Sequence, residues 1–261
     1  MTAVAAEQRT AGLIAGANPV AKLAASAVLA LALVLSLDVV SASVALLLEA
    51  LLLPCAGLDA RTFWRRTSPI WAAAPLAGLT ILLYGRTSGT VHVEWLLIRI
   101  SDGSIELAAA TVLRVLAIAL PAVVLFATVD PTDLADGLAQ LVRLPARFVL
   151  GALAGLRLMG LFADDWRSLT LARRARGVGD QGRLRRFFGQ AFALLVLAIR
   201  RGSTLATAME ARAFGAPVRR TWARRSVLTA RDGLLVGGAV AIGLAAVGSS
   251  LAVGEWTLLG G

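Results

Sequence analysis

Apolar residues run through this chain in long blocks broken by short polar marks, and the spacing of those marks predicts helices. From Val20 to Leu58 only Lys22, Asp38 and Glu49 are charged. That block is too long for one bilayer-crossing helix of about 20 residues. Asp38 divides it into two short spans, at about 21–37 and 40–57, with one long tilted helix as the alternative. Asn18-Pro19 marks the start, because proline fits a first helical turn but not an interior one. A third span, about 69–84, is bracketed by Pro69, Trp71 and Tyr84. The fourth, about 106–128, encloses Arg114, which has to face protein or water and reads as a structural or snorkelling residue. The last, about 228–252, is rich in Gly, Ala, Leu and Val, and small residues let helices approach closely. Residues 59–68, DARTFWRRTS, mix arginine with aromatics and suit an interfacial loop on the inner side. Residues 85–105 read as an external loop with an interfacial piece, because TVHVEWLLIRIS alternates too briefly for a membrane strand.

The pattern changes after Phe126. VDPTDLADGLAQL begins with a helix start: Pro131 follows Asp130, and Asp133 and Asp136 lie near the positive end. Pro145 ends that helix. Arg147 to Gly177 reads as one long helix closed by Gly177-Val178-Gly179. A third long pattern begins near Leu184, with Phe188, Phe192, Leu195 and Ile199 forming one apolar stripe. It continues through Leu205 and Met209 to Arg212 and stops before Pro217. The predicted class is all-α, with about five transmembrane helices and a region of long helices outside them. The expected divisions are 1–128, 129–227 and 228–261.

Composition sharpens this picture. Hydrophobic residues make up 58% of the 261, mean hydropathy is +0.77, and charged residues are 16%, against roughly 25% in a typical soluble domain. A polytopic membrane protein is the natural reading. Residues 129–227 hold 17 Arg and 7 Asp/Glu, so the whole net charge of +10 belongs to that block. Such a block favours the cytoplasmic side of a plasma membrane, and the membrane setting argues against nucleic acid as its partner. With five spans and an inside start, the inner segments 59–68 and 129–227 carry the arginines and the tail GEWTLLGG lies outside. Residues 1–18 lack the pattern of a signal peptide. Cys55 is a single cysteine and His92 a single histidine, and no GxxxxGK[ST] run is present. These features point to no cofactor, no metal site and no catalytic constellation.

Two small-Arg-small triplets stand apart from the other arginines: Ala175-Arg176-Gly177 and Ala211-Arg212-Ala213. Most of the 17 arginines suit contact with anionic lipid, at about 1 kcal/mol each; Arg219, Arg220, Arg224 and Arg225 fit that role. Arg176 and Arg212 differ. Each lies near a helix C-terminal end, continues an apolar stripe and has small neighbours, so a partner groove can close around its guanidinium and pair with it. A helix over 183–212 is roughly 45 Å long at 1.5 Å per residue, which suits two separate docking points.

With these motifs the chain resembles the transmembrane T component of energy-coupling factor (ECF) transporters, the EcfT/CbiQ/BioN family. NPVAKL at 18–23 looks like the family's approach to its first helix. ATVDPTDLADGLAQL at 127–141 is similar to its segment after the membrane spans. ARRARG and AMEARAFG match its two Ala-Arg-Gly-type motifs, with Ala213 where the family usually has Gly. The resemblance implies a non-catalytic subunit that docks two ABC-type ATPase subunits, alike or different, through the Arg176 and Arg212 motifs. It also implies one small membrane S component, which takes up a vitamin such as biotin, or a transition metal such as cobalt or nickel. Two other classes compete. A membrane-embedded lipid-metabolism enzyme needs clustered acids or histidine; Asp38, Glu49, Asp130, Asp133, Asp136, Asp164 and Asp165 are the candidates, and no phosphate- or metal-binding pattern gathers them. A stand-alone secondary transporter is expected to show internal repeats, and none is visible.

Overall fold

A computed structural model describes residues 14–36, 38–85, 88–95, 98–177, 182–216 and 221–254. The elements are α1 (Pro19–Val34), α2 (Val39–Leu52), a short 3-10 turn (Leu53–Ala56), α3 (Ala60–Tyr84), β1 (Val91–Trp95), β2 (Ile98–Ser101), α4 (Asp102–Ala127), α5 (Pro131–Gln140), α6 (Ala146–Ala175), α7 (Arg183–Ala211) and α8 (Ala230–Val253). The chain forms two compact units, Met1–Leu134 with Ser226–Gly261, and Ala135–Arg225. The expected stop at Gly179, Pro217, the arginines at 219 and 220, and the tail from 255 lie outside the described residues.

In the first unit, α1 and α2 each pack on both α4 and α8, and α3 packs on α4. The packing is close because small residues line it: Ala25, Ala45, Ala117, Ala239 and Ala246 are buried in one cluster with Leu29 and Leu33. Gly78 of α3 meets the Val112 side chain and the Ala108 carbonyl of α4. Without a hydrophobic drive between lipid-facing helices, such contact is what holds them together.

Five helices are long and apolar enough to cross a membrane: α3, α4, α6, α7 and α8. Their membership differs from the five expected spans. Helices α1 and α2 have 16 and 14 residues, about 24 and 21 Å of helix, short of a hydrocarbon core of about 30 Å. Asp38 is the reason. Its carboxylate accepts the Ser41 backbone N–H at 2.6 Å and caps α2, and Ser36 and Ser41 hydroxyls surround it. Arg114 closes the same end structurally: its Nε donates to the Leu33 carbonyl at 2.8 Å, one of the acceptors left free in the last turn of α1.

Two expected loops prove to be ordered. DARTFWRRTS is helical, since α3 starts at Ala60 and carries Pro69 and Pro75 inside it. Pro69 offers no N–H to the Arg65 carbonyl; the Ser68 hydroxyl takes that place at 3.3 Å. A neighbouring hydroxyl is one way in which a proline is tolerated within a membrane helix. Where an external loop with an interfacial piece is expected, residues 91–95 and 98–101 pair as antiparallel strands, with Val91 opposite Ser101 and Trp95 opposite Ile98. Ser101 then caps α4 in a reciprocal pair with Ser104, and His92 Nε2 meets Asp102 Oδ1 at 2.5 Å.

In the second unit, α6 and α7 touch over limited stretches. Gln190 Nε2 donates to Thr170 Oγ1 at 3.1 Å, Arg201 to Asp165 at 2.8 Å, and the Trp166 and Phe187 rings lie 5.8 Å apart. Gly189 leaves room for the Arg173 guanidinium to lie across α7. Among the described residues, Val149 is the buried residue of α6 and Gln190 that of α7. Most of both helices' apolar surface is therefore uncovered within the chain.

Candidate partner-docking site

The two triplets have one backbone design. Helix α6 ends at Ala175, Arg176 is its C-cap, and Gly177 follows at φ +72°. The Gly177 N–H donates to the Arg174 carbonyl at 3.0 Å. Helix α7 ends at Ala211, Arg212 is its C-cap, and Ala213 follows at φ +54°. There Ala213 N–H donates to Glu210 O at 2.9 Å and Phe214 N–H to Met209 O at 2.9 Å. Those two bonds are the paired pattern of a Schellman cap. The residue after each arginine therefore needs a left-handed backbone. Glycine adopts it freely, whereas alanine does so at a cost of about 1–2 kcal/mol.

All six triplet residues are exposed. Neither guanidinium has a hydrogen-bond or ion-pair partner among the described residues, although Arg201 and Arg167 of the same helices do. Each arginine also sits at the negative end of a helix dipole, worth about 0.3–1 kcal/mol to its own helix. The 29 residues of α7 separate the two caps along the chain. On α7 the stripe of Phe188, Phe192, Leu195 and Ile199 is exposed at 54–69%.

Asp130 and Pro131 open α5: Asp130 Oδ1 accepts the Thr132 N–H at 2.7 Å, and its carbonyl accepts Leu134 N–H at 3.0 Å. Asp130 and Pro131 stand in the first unit and the triplets in the second.

Sequence reasoning missed a buried polar knot where the chain leaves the first unit and returns to it. Asn18 caps α1 through Val20 N–H at 3.0 Å. Its amide also donates to Ser226 Oγ at 2.9 Å and to the Val227 carbonyl at 3.1 Å. Asp232 accepts the Asn18 N–H at 2.5 Å and, from the other side, the Thr229 N–H and hydroxyl at 2.7 and 2.9 Å. Lys22 reaches the Ala15 carbonyl at 3.0 Å and Thr128 Oγ1 at 2.8 Å. Arg66 donates to the Ala127 carbonyl at 3.1 Å. The start of α1 thus holds the departing segment at Thr128, with Arg66 of α3 at Ala127, and the returning segment at 226–232. NPVAKL was readable as a helix start, but its long-range partners lie 106 to 214 positions away, and nothing local signals them.

Residues 12–222 match the family described as CbiQ, cobalt transport protein. Over 192 residues the chain is 29% identical to the energy-coupling factor transporter transmembrane protein EcfT of Limosilactobacillus fermentum (strain CECT 5716 / Lc40). That alignment covers 67% of this chain and 71% of that protein.

Proposed function

The chain belongs to the EcfT/CbiQ family of transmembrane components of energy-coupling factor transporters, and we propose that it is the coupling subunit of such an importer, with no chemistry of its own. Two ABC-type ATPase subunits dock at the Arg176 and Arg212 caps. Their ATP-driven motion passes through α6 and α7 to a small substrate-binding S component, which delivers a vitamin or a transition metal such as cobalt or nickel. The N-terminus and the arginine-rich region 129–227 face the cytoplasm of a plasma membrane. The observation that carries the reading is the pair of caps: two exposed arginines without partners among the described residues, each presented from a helix end by a left-handed small residue. A guanidinium so placed offers a planar fork of donors to a carboxylate or to backbone carbonyls. The uncovered stripe of α7 supports the second contact, since an apolar surface of that kind marks a protein or membrane partner.

Co-purification of the complete complex tests this. Replacing Arg176 and Arg212 with Ala removes charge-assisted bonds of about 1.5–3 kcal/mol each, so retention of the ATPase subunits falls by about tenfold or more per site. The chain still inserts, and the double change at Arg224 and Arg225 has little effect. Equal losses from both pairs return the triplet arginines to a general lipid-facing role and overturn the proposal.

A further inference from the structure

Between α1, α2, α4 and α8 lies a cavity of about 350 Å³, lined almost wholly by apolar side chains. That volume is within the range of sites for small ligands. Two charged residues line it, Glu49 and Arg231. Glu49 is 4% exposed, and neither of its carboxyl oxygens has a hydrogen-bond partner among the described residues. The buried cations of the bundle do not meet it: Lys22 donates to Ala15 and Thr128, and Arg114 to Leu33. Arg231 is exposed, in the first turn of α8, so the cavity grades from a deep carboxyl to a guanidinium at its rim. Leu52 and Leu234, also in the lining, are 46% and 77% exposed, which leaves an apolar side open to lipid.

A carboxyl buried without a partner is costly whichever way it is charged, and an ionisable residue within a membrane bundle usually has a named partner. Among the described residues none serves, which points to a partner from outside the chain. Three requirements describe it. It carries N–H donors at its far end for the two Glu49 oxygens. It carries an anion closer to the rim for Arg231. It has an apolar body that leaves sideways past Leu52 and Leu234. From these we infer that the cavity is a binding site for an aminophospholipid, with the primary ammonium on Glu49, the phosphate on Arg231 and the acyl chains in the bilayer. An ammonium offers three donors to two acceptor oxygens, whereas a quaternary choline headgroup offers none and a glycerol headgroup has no positive charge.

The test uses the full chain, delipidated and then exposed to equal amounts of phosphatidylethanolamine, phosphatidylcholine and phosphatidylglycerol. Retained lipid is counted by native mass spectrometry, and thermal stability is measured with each lipid. The expected result is phosphatidylethanolamine retained about tenfold over the other two and raising Tm, since a ligand that binds the folded state stabilises it. Glu49→Gln abolishes that preference and the Tm response; the variant folds, because it removes only an unpartnered buried acid. Arg231→Ala weakens phosphatidylethanolamine and phosphatidylglycerol alike. Equal retention of the three lipids by the unaltered chain, no Tm response, or a preference that survives Glu49→Gln overturns the assignment.

Discussion

Asn18 gives the sharpest quantitative test of how the first unit is held closed. Its side chain does two separable things: the carbonyl oxygen caps α1, and the amide group ties α1 to Ser226 and Val227. Asn18→Ala removes both. Loss of an N-cap costs about 1 kcal/mol, and the two tethers, one partly buried and one exposed, contribute about 0.5–1 kcal/mol each. The total is about 2–3 kcal/mol. Asn18→Ser keeps a capping oxygen but cannot reach 226–227, so it costs about half as much. At about 2–4 °C per kcal/mol for a unit of this size, Asn18→Ala lowers Tm by about 5–10 °C and Asn18→Ser by about 3–5 °C. Thermal unfolding of the full chain in detergent, followed by circular dichroism, measures both. Ser226→Ala in each background completes a cycle, and its effect shrinks once Asn18 is gone, because the two share one bond. An Asn18→Ser variant as stable as the parent, or full additivity with Ser226→Ala, refutes the tethering.

Three further outcomes follow from other parts of the molecule. Gly78→Ala drives a methyl into Val112 and the Ala108 carbonyl and costs about 1–3 kcal/mol, read as a lower Tm; Gly78→Leu costs more. Ala213→Gly relieves the left-handed alanine and stabilises the α7 terminus by about 0.5–1 kcal/mol net of unfolded-state entropy, seen as slower hydrogen exchange at 212–216, whereas Ala213→Val speeds it. In the turn between α1 and α2, burial pushes the Asp38 carboxyl up, but hydrogen bonds from the Ser36 hydroxyl and the Ser41 N–H outweigh it and hold the group below the usual carboxylate range. A group with a depressed folded value contributes its full stability above about pH 4 and loses it as pH falls further through that value. Denaturation below pH 4 is accordingly shallower in Asp38→Asn than in the parent, with no difference in slope between pH 5 and 7.

Helical class and most helix positions were legible because apolar blocks and their polar breaks are local signals. Asp38 divided α1 from α2, and Asn18-Pro19 opened α1, each through its own side-chain chemistry. The errors have local causes too. Basic residues with aromatics at 59–68 looked like a loop, and Pro69 looked like a boundary, because neither reveals that Ser68 takes over the freed Arg65 carbonyl. The alternation in TVHVEWLLIRIS is too brief for a membrane strand, but a short pair outside the membrane helices needs only the cross-strand bonds between 91–95 and 98–101. The Asn18–Asp232 and Lys22–Thr128 bonds join residues far apart in sequence, where no periodicity reports them. Glu49 stands out as a charge in an apolar run; its lack of a partner among the described residues is a property of packing.

The caps bear on what a small-Arg-small motif means. In both triplets the residue after arginine has positive φ, and its N–H bonds back to the carbonyl three positions earlier. Glycine at that place has a local reason, helix termination, that would hold with no partner at all. The triplet pattern alone therefore does not separate a cap from a docking point. What separates them is the arginine. A C-cap can be almost any residue, and an arginine that served only its own helix would gain under about 1 kcal/mol from the dipole. Arg201 is held by Asp165 and Arg173 lies across Gly189, so side chains of these helices do find partners within the unit. Arg176 and Arg212 stay exposed, and neither is paired among the described residues. The Schellman turn at Met209–Phe214 stops α7 one residue short of its own arginine and turns the chain away, which leaves the guanidinium at the tip. Ala213 separates the two roles experimentally: Ala213→Gly changes the strain of the cap and leaves Arg212 in place, whereas Arg212→Ala removes the fork and leaves the cap bonds intact. ATPase retention that follows Arg212 and ignores Ala213→Gly assigns the docking to the side chain; retention that tracks cap stability instead assigns it to the shape of the helix end.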